Sequence, residues 1–307
     1  MSDLSGIGIN WQQYLQSIQE KNIRILSRSI SLVENGVSGY EQLLQALPAS
    51  DTPIIGITGP PGAGKSTLTD ALIGEWVAKG QRVAVLCIDP SSAFHGGALL
   101  GDRIRMSEWY THPSVFIRSL AARGSLGGLH PGILEITDLL KAARFDCILI
   151  ETVGVGQNEI EIAGLADTTL VVLVPEAGDE IQTMKAGLME IADIFVVNKS
   201  DRPDADLFVR NLRLMLSPAF HRPDRETAIV KTIASQKQGL GELMEKITGS
   251  LQQKQTTDRK FRLLTERAFY LLSKQRMKDV DKEEMNKKII QQTATGEFNL
   301  YKFVNTY

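Results

Sequence analysis

Residues 59–66 carry the clearest chemical signature in the chain. They read Gly-Pro-Pro-Gly-Ala-Gly-Lys-Ser and match G-x-x-x-x-G-K-[ST], a pattern in which a glycine-rich loop holds phosphate groups. Glycines let backbone N–H groups approach a polyphosphate, and the N-terminus of a following helix adds partial positive charge. We expect Lys65 to reach the β- and γ-phosphates and the Ser66 hydroxyl to bind Mg²⁺. The predicted phosphate-binding residues are Gly59, Pro60, Pro61, Gly62, Ala63, Gly64, Lys65, Ser66 and Thr67.

The sequence around this loop predicts the strand and the helix that the pattern requires. Residues 53–58 are an apolar run typical of a buried strand, and residues 66–78 place apolar side chains at helical spacing. Further on, strands and helices alternate, which predicts an α/β fold of the P-loop NTPase type: a mostly parallel sheet flanked by helices. The predicted strands are 53–58, 82–88, 114–118, 146–151, 169–174, 193–198 and 229–233, and the predicted helices are 65–78, 131–143, 180–190, 204–216 and 239–252.

Polar clusters follow three of these strands. Asp89 begins one cluster, Glu151 the second and Asn198 the third. Because ligands of open α/β sheets bind beyond the carboxyl ends of the strands, we expect all three clusters to face the same edge as the phosphate loop.

Residues 198–201, Asn-Lys-Ser-Asp, predict the site that reads the nucleotide base. The Asp201 carboxylate can accept hydrogen bonds from N1–H and the exocyclic amine of guanine, whereas adenine offers no such donor pair and leaves a carboxylate unpaired. We expect Asn198 to hold the base edge and the stem of Lys199 to pack along its face. Ala234 and Ser235, after the last predicted strand, are candidates for a backbone contact to the base oxygen.

Three acidic residues are candidates for the metal shell. Glu151 ends a buried strand, where P-loop proteins place an acidic group near Mg²⁺, and Asp89 and Asp102 lie in the clusters described above. Mg²⁺ prefers oxygen ligands and keeps waters, so some of these carboxylates act through water. Helix capping or turn formation remains the alternative for Asp89 and Asp102. Gly154 follows Glu151 by three residues, where its N–H can sense the γ-phosphate.

Composition excludes few classes of protein but favours an ordinary globular one. The 307 residues are 43% hydrophobic and 23% charged, and the net charge of −2 gives no reason to expect a nucleic-acid partner. No apolar run approaches the ~20 residues of a membrane span, and residues 1–10 lack the pattern of a signal peptide. Cys87 and Cys147 both lie in apolar runs, as expected of buried thiols in a reducing cytoplasm.

The chain is predicted to have three parts. Residues 1–48 form a helical prefix, with two helices between Trp11 and Gln45, a break at 36–39 and a continuation from Tyr40 to Leu47. Residues 49–250 form the nucleotide-binding domain. Residues 251–307 have 12 Lys and Arg against 7 Asp and Glu, with an apolar stripe at Phe261, Leu264, Ala268 and Leu271. A basic amphipathic helix can meet a membrane or nucleic acid, but we favour an interface with a subunit or partner protein.

Six ordered segments within residues 10–250 resemble those of the MeaB/ArgK-type GTPases, also labelled LAO/AO transport system kinases or ATPases. They are GPPGAGKS, DPSSAFHGGALLGDRIRM, FIRSLAARGSLGG, ETVGVGQNEIE, PEAGDEIQTMKAG and NKSD. The resemblance implies a GTP-hydrolysing chaperone of an adenosylcobalamin-dependent acyl-CoA mutase, notably methylmalonyl-CoA mutase. It also implies Mg²⁺ as cofactor, GTP and GDP as substrate and product, and a homodimer formed by the helical tail.

The resemblance assigns roles to the candidate residues. Asp89, Asp102 and Glu151 belong to the metal shell, residues 154–159 resemble a second switch, and residues 178–187 resemble a third switch that signals to the mutase. The predicted catalytic residues are Lys65, Glu151 and Gln157. The sequence departs from the family pattern at Ala98, where a hydroxyl residue is expected, and in its short, divergent tail.

Turnover by the isolated chain is expected to be slow. In Ras-like GTPases a glutamine directly after the switch glycine orients the attacking water, but here that position is Val155 and Gln157 lies two residues further on. Two other functions stay open as alternatives. A metallochaperone GTPase of the hydrogenase or urease type needs a cluster of Cys and His, whereas the four histidines here are scattered. A kinase linked to amino-acid transport needs an acceptor site, which the sequence does not indicate.

Overall fold

The structure is a computed structural model, and it describes residues 10–89, 106–121, 129–152, 161–177, 186–219, 227–253, 258–277, 279–296 and 298–306. The chain divides into two compact units, Met1–Gln255 and Thr256–Tyr307. The separate boundaries predicted at residues 48 and 250 stay predictions.

A parallel sheet forms the centre of the first unit. Within the described residues it has seven strands, β1 (Ile54–Thr58), β2 (Val83–Asp89), β3 (Val115–Ala121), β4 (Cys147–Glu151), β5 (Thr168–Leu173), β6 (Ile194–Val197) and β7 (Ala228–Lys231). Their order is β3-β2-β4-β1-β5-β6-β7, and every neighbouring pair runs parallel. The central strands are buried on both faces, as continuous apolar runs predict. The predicted fold class is confirmed, and β1 lies in the middle of the sheet.

Helices cover both faces. One face packs against α4 (Lys65–Ala78) and α9 (Leu240–Gln253). The other packs against the prefix helices and α5 (Ile133–Ala142) on one half, and against α7 (Ala186–Ile191) and α8 (Ala205–Ala219) on the other. The short helix α6 (Glu161–Leu165) precedes β5. Of the predicted helix at 180–190, residues 180–185 lie outside the described residues.

The prefix forms three helices, α1 (Trp11–Gln19), α2 (Ile23–Glu34) and α3 (Tyr40–Gln45). Asn22 explains the break between the first two, because its Oδ1 accepts from the N–H groups of Arg24 at 3.1 Å and Ile25 at 3.2 Å and starts a new helix. The buried side chains of these helices join the same hydrophobic cluster as β2 and β4. Arg118 on β3 donates to Ser31 and Glu34 of α2, which ties the prefix to the edge strand.

Three aspartates fix the amino ends of the strands, at the edge opposite the phosphate loop. Asp146, Asp167 and Asp193 each directly precede a strand. Their carboxylates accept from the backbone N–H groups of Arg82 at 2.7 Å, Ile54 at 2.9 Å and Thr169 at 2.8 Å. In each pair the aspartate N–H donates back to the carbonyl of the same residue. These reciprocal bonds satisfy the first polar groups of the strands and so help to hold their register.

The second unit is helical. It contains α10 (Asp258–Arg276), α11 (Lys282–Ala294) and α12 (Leu300–Val304). Asp281 caps α11 by accepting from the N–H of Glu283 at 2.8 Å, and the rings of Phe298 and Phe303 lie 5.8 Å apart. Along α10, Phe261, Leu264, Phe269 and Leu272 are exposed apolar residues. No helix among the described residues is both long and apolar enough to cross a membrane.

Candidate nucleotide-binding site

The loop between β1 and α4 has the backbone shape of an anion cradle. Gly59 has φ of 139° and Gly64 has φ of 89°, both in the region that favours glycine. A Cβ at Gly59 would lie 2.1 Å from the carbonyl oxygen of Val172, and a Cβ at Gly64 would lie 2.4 Å from Nδ2 of Asn198. Any side chain at these two positions would therefore clash with a neighbouring strand or with Asn198, and the positive φ adds backbone strain.

Lys65 and Ser66 occupy the first turn of α4. Lys65 is only 7% exposed, and its Nζ donates to the carbonyl oxygens of Gly59 at 2.8 Å and Pro60 at 3.1 Å. The ammonium group therefore lies along the inner side of the loop, within reach of a phosphate that enters it.

The carboxylate of Glu151 lies directly beside this turn. The Ser66 hydroxyl donates to Oε1 at 2.6 Å, and the Thr69 hydroxyl lies 2.9 Å from Oε2. Strand order produces this contact, because β4 pairs with both β1 and β2 and places Glu151 opposite Ile57 and Cys87. The arrangement is buried, with Glu151 4% and Thr69 0% exposed.

These oxygen atoms suit a magnesium ion. A hydroxyl and a carboxylate held at 2.6 Å offer hard oxygen donors beside the phosphate cradle. Asp89, at the end of β2, is 4% exposed and adds a second buried carboxylate at the same edge of the sheet. The predicted metal residues Ser66, Asp89 and Glu151 therefore lie on α4 and on the adjacent strands β2 and β4.

The base-side residues contact the phosphate loop directly. Asn198 follows β6 and is 2% exposed; its Nδ2 donates to the carbonyl of Ala63 at 3.0 Å, and its Oδ1 accepts from the N–H of Ala234 at 3.1 Å. Lys199 has φ of 55°, and its Nζ donates to the carbonyl of Gly62 at 2.7 Å. Asp201 and Ser235 are exposed.

An ion pair joins this base-side turn to the turn after β5. Arg202 donates to Glu176, which lies in a short 3-10 turn of residues 175–177. Burial is the largest single influence on the pKa of Glu176 and raises it. The hydrogen bonds from Arg202 and from the backbone, with the charges of Arg202 and Lys199, together outweigh burial and hold that pKa below its ordinary value. The pair is exposed, so its contribution to stability is small.

Several predicted site residues lie outside the described residues. They are the predicted metal ligand Asp102, the whole second switch-like segment at 154–159 and residues 178–185 of the third. Gly154, Val155 and Gln157 lie in the second of these segments, and Ala98 also lies outside the described residues.

Sequence reasoning missed two hydroxyl contacts. Thr69 was not singled out, although its position three residues after Ser66 puts both on one side of α4. Thr152, directly after Glu151, donates to the hydroxyl of Thr58 at 2.9 Å and so joins the residue before the phosphate loop to the residue after the acidic strand end. Threonines at strand ends and inside helices are common, so spacing alone gave no signal for the second contact.

Comparisons with known proteins bear on the family and the fold of the chain. A family model described as methylmalonyl Co-A mutase-associated GTPase MeaB matches residues 26–289. A Pyrococcus horikoshii protein whose name describes it as a GTPase is 46% identical over 240 residues, which are 76% of each chain. The methylmalonic aciduria type A homolog, mitochondrial, of Caenorhabditis elegans is 46% identical over 148 residues, which are 48% of this chain and 37% of that protein.

A solved structure has a similar fold. The crystal structure of a LAO/AO transport system kinase superposes with a TM-score of 0.67 and covers 98% of this chain and 97% of its own. Its identity with this chain is 24%, so the similarity concerns the fold.

Proposed function

The chain belongs to the family of methylmalonyl-CoA mutase-associated GTPases, MeaB, and is a GTPase; from this we propose that it is the chaperone of an adenosylcobalamin-dependent acyl-CoA mutase. In this role it binds and hydrolyses GTP while it supports loading and protection of the mutase cofactor. The observation that carries the proposal is the match to this family over residues 26–289. The similarity to the nematode methylmalonic aciduria type A homolog supports it over about half of the chain.

We assign the steps of GTP binding to the residues described above. The phosphates enter the loop of residues 59–66, and Lys65 exchanges its two carbonyl partners for phosphate oxygens. Asp201 reads the guanine, and the stem of Lys199 lies along its face. A magnesium ion held by Ser66 and Glu151, with Asp89 and Asp102 in its outer shell, neutralises charge at the polyphosphate when bound.

Slow hydrolysis by the isolated chain follows from the second switch-like segment. Positioning of the water and charge stabilisation are most of what a phosphoryl-transfer enzyme supplies. With Val155 after the switch glycine, the chain lacks the usual water-positioning side chain there. We propose that the mutase rearranges residues 154–159 and 178–187 and brings Gln157 into place, which makes hydrolysis depend on the client.

The helical unit at the C-terminus is proposed to form a homodimer. The side chains of Phe261, Leu264 and Phe269 are 57%, 47% and 69% exposed. Large apolar side chains that are exposed together are typical of a surface that binds another protein. We also place the protein in the cytoplasm, because Cys87 and Cys147 are buried thiols that form no disulfide, which suits a reducing compartment.

The test of the proposed function is GTP turnover at saturating nucleotide, with and without the acyl-CoA mutase encoded nearest to this gene. We expect slow intrinsic turnover and an acceleration of at least several-fold by the mutase. Lys65→Ala with the same mutase is the matched control and is expected to show no acceleration. Rapid turnover by the isolated chain, with no response to the mutase, would contradict the chaperone function; label transferred from GTP to an acceptor rather than to free phosphate would indicate a kinase.

A further inference from the structure

Both oxygens of the Glu151 carboxylate are held from one helix. Ser66 donates to Oε1 at 2.6 Å, and Thr69 lies 2.9 Å from Oε2. Because the two hydroxyl residues are three positions apart on α4, they face the end of β4 together. Each oxygen of the carboxylate therefore contacts a hydroxyl of α4, and these two contacts restrain the orientation of the group.

A glutamate needs this second contact more than an aspartate does. Its side chain has one more rotatable bond, and the torsion that turns its carboxylate is broad and only weakly restricted. The Ser66 bond holds Oε1, and the contact with Thr69 restrains the torsion that positions Oε2. A buried carboxylate is also costly unless hydrogen bonds compensate its charge, and bonds from two hydroxyls do so.

Thr69 is suited to this task by its own geometry. Its hydroxyl lies 2.9 Å from the Lys65 carbonyl as well as from Glu151. In helices the threonine hydroxyl can bond a carbonyl three or four residues earlier, and here the rotamer that contacts Lys65 also faces Glu151. A hydroxyl has one proton, and the charged carboxylate is the stronger acceptor of the two.

We propose that Thr69 is a positioning residue of the GTPase: it fixes Oε2 of Glu151 so that Oε1 stays directed at Ser66, where a magnesium ion binds with the nucleotide. Thr69 itself touches neither the metal nor the phosphates. This inference rests on the proposed role of Glu151 at the magnesium site.

The experiment measures equilibrium affinity for a fluorescent GDP analogue across a series of Mg²⁺ concentrations, starting in EDTA. Thr69→Val removes the hydroxyl at almost constant volume, and Thr69→Ser keeps it. For Thr69→Val we expect the half-saturating Mg²⁺ concentration to rise roughly tenfold, as for other residues that orient a metal ligand. Affinity in EDTA should stay within about twofold, and Thr69→Ser should restore the wild-type Mg²⁺ dependence.

A double-mutant cycle with Glu151→Gln separates this inference from the proposed function. Glu151→Gln alone should raise the half-saturating Mg²⁺ concentration, and Thr69→Val should add less than about twofold in that background, because both changes act through one carboxylate. If Glu151→Gln has no effect, the magnesium role of Glu151 fails and the inference with it. If Glu151→Gln has its effect but Thr69→Val does not, only the inference fails.

Thermal unfolding without nucleotide controls for a purely structural role. Thr69→Ala is a second variant without the hydroxyl and should repeat the Mg²⁺ effect of Thr69→Val. If both hydroxyl-free variants fail to fold while Thr69→Ser folds, the hydroxyl serves the fold and the proposal is overturned. Equal Mg²⁺ shifts in Thr69→Val and Thr69→Ser would overturn it as well.

Discussion

Nδ2 of Asn198 donates to the carbonyl oxygen of Ala63 at 3.0 Å, from the end of β6 to the phosphate loop. The same amide accepts at Oδ1 from the N–H of Ala234 at 3.1 Å and from the hydroxyl of Thr232 at 3.2 Å. One buried side chain therefore joins the phosphate loop, the base-side turn and the segment after β7.

Asn198→Ala should destabilise the protein even without nucleotide. It leaves the partners of a 2%-exposed amide without their hydrogen bonds, which costs about 1–3 kcal/mol of unfolding free energy. Urea unfolding of the nucleotide-free protein measures this. Asp201→Asn, in the same turn but exposed, is the control and should change stability by less than about 0.5 kcal/mol. Equal unfolding midpoints for wild type and Asn198→Ala would show that the bond contributes nothing.

Asp201→Asn should instead change which base is bound. It replaces an acceptor oxygen by a donor that faces the guanine N1–H or amine, and losing a charged hydrogen bond costs about 1.5–3 kcal/mol, or roughly ten- to a hundredfold in affinity. Calorimetric titration of both proteins with GDP, XDP and ADP measures the change. XDP should gain affinity, because xanthine has a carbonyl oxygen in place of the guanine amine and can accept from the new amide. Unchanged GDP affinity would remove Asp201 from the base site.

Lys65→Ala should lower affinity for GTP by roughly ten- to a hundredfold or abolish turnover, while the protein stays folded. The reason is that Lys65 acts on the charge of the ligand, and its hydrogen bonds to Gly59 and Pro60 are to carbonyls of the loop. Fluorescent-nucleotide binding and thermal unfolding check the two halves of this prediction. Lys79→Ala removes the same charge from the exposed end of α4 and should leave both quantities unchanged.

Asp167→Ala should lower stability without changing nucleotide affinity. Asp167 accepts from the N–H of Ile54 at 2.9 Å at the amino end of β1, and the variant leaves that donor unsatisfied at a cost of about 1–3 kcal/mol. Asp167→Asn is the matched control, because its side-chain oxygen still accepts the bond. Urea unfolding and GDP titration are the measurements. A loss of nucleotide affinity beyond twofold in the folded variant would show that the two edges of the sheet are not independent.

Asp70→Asn should stabilise the protein at neutral pH. Burial raises the pKa of Asp70, Glu108 adds to this, and the Trp109 bond and Lys237 only partly oppose it. A raised pKa in the folded state means that the charged carboxylate weakens the fold, so stability falls as pH rises above the unfolded value of about 3.9. Asparagine keeps the 2.8 Å bond from Trp109 without the charge. Melting temperatures of the two proteins should coincide near pH 3.5 and separate at higher pH.

The sequence by itself determined the local elements and their order. The strands lie within two or three residues of their predicted ends, because each is a short apolar run between polar turns. The helix after the phosphate loop begins at Lys65, because Gly64 before it has a positive φ that is not helical. The polar residues at the strand ends could be named in advance, since parallel strands all deliver their carboxyl ends to one edge.

Only the tertiary structure decided which of these residues meet. Glu151 reaches Ser66 and Thr69 because β4 lies next to β1, and Asn198 reaches Ala63 across more than 130 residues of chain. The tertiary structure also packs the helical prefix against the sheet, through contacts such as that of Arg118 with Glu34. Strand order and side-chain contacts depend on non-local packing and hydrogen bonding, which local periodicity does not encode. For that reason the sequence named candidates for the phosphate and base sites, Asn198 among them, whereas the fold showed which groups Asn198 contacts and brought Thr69 beside Glu151.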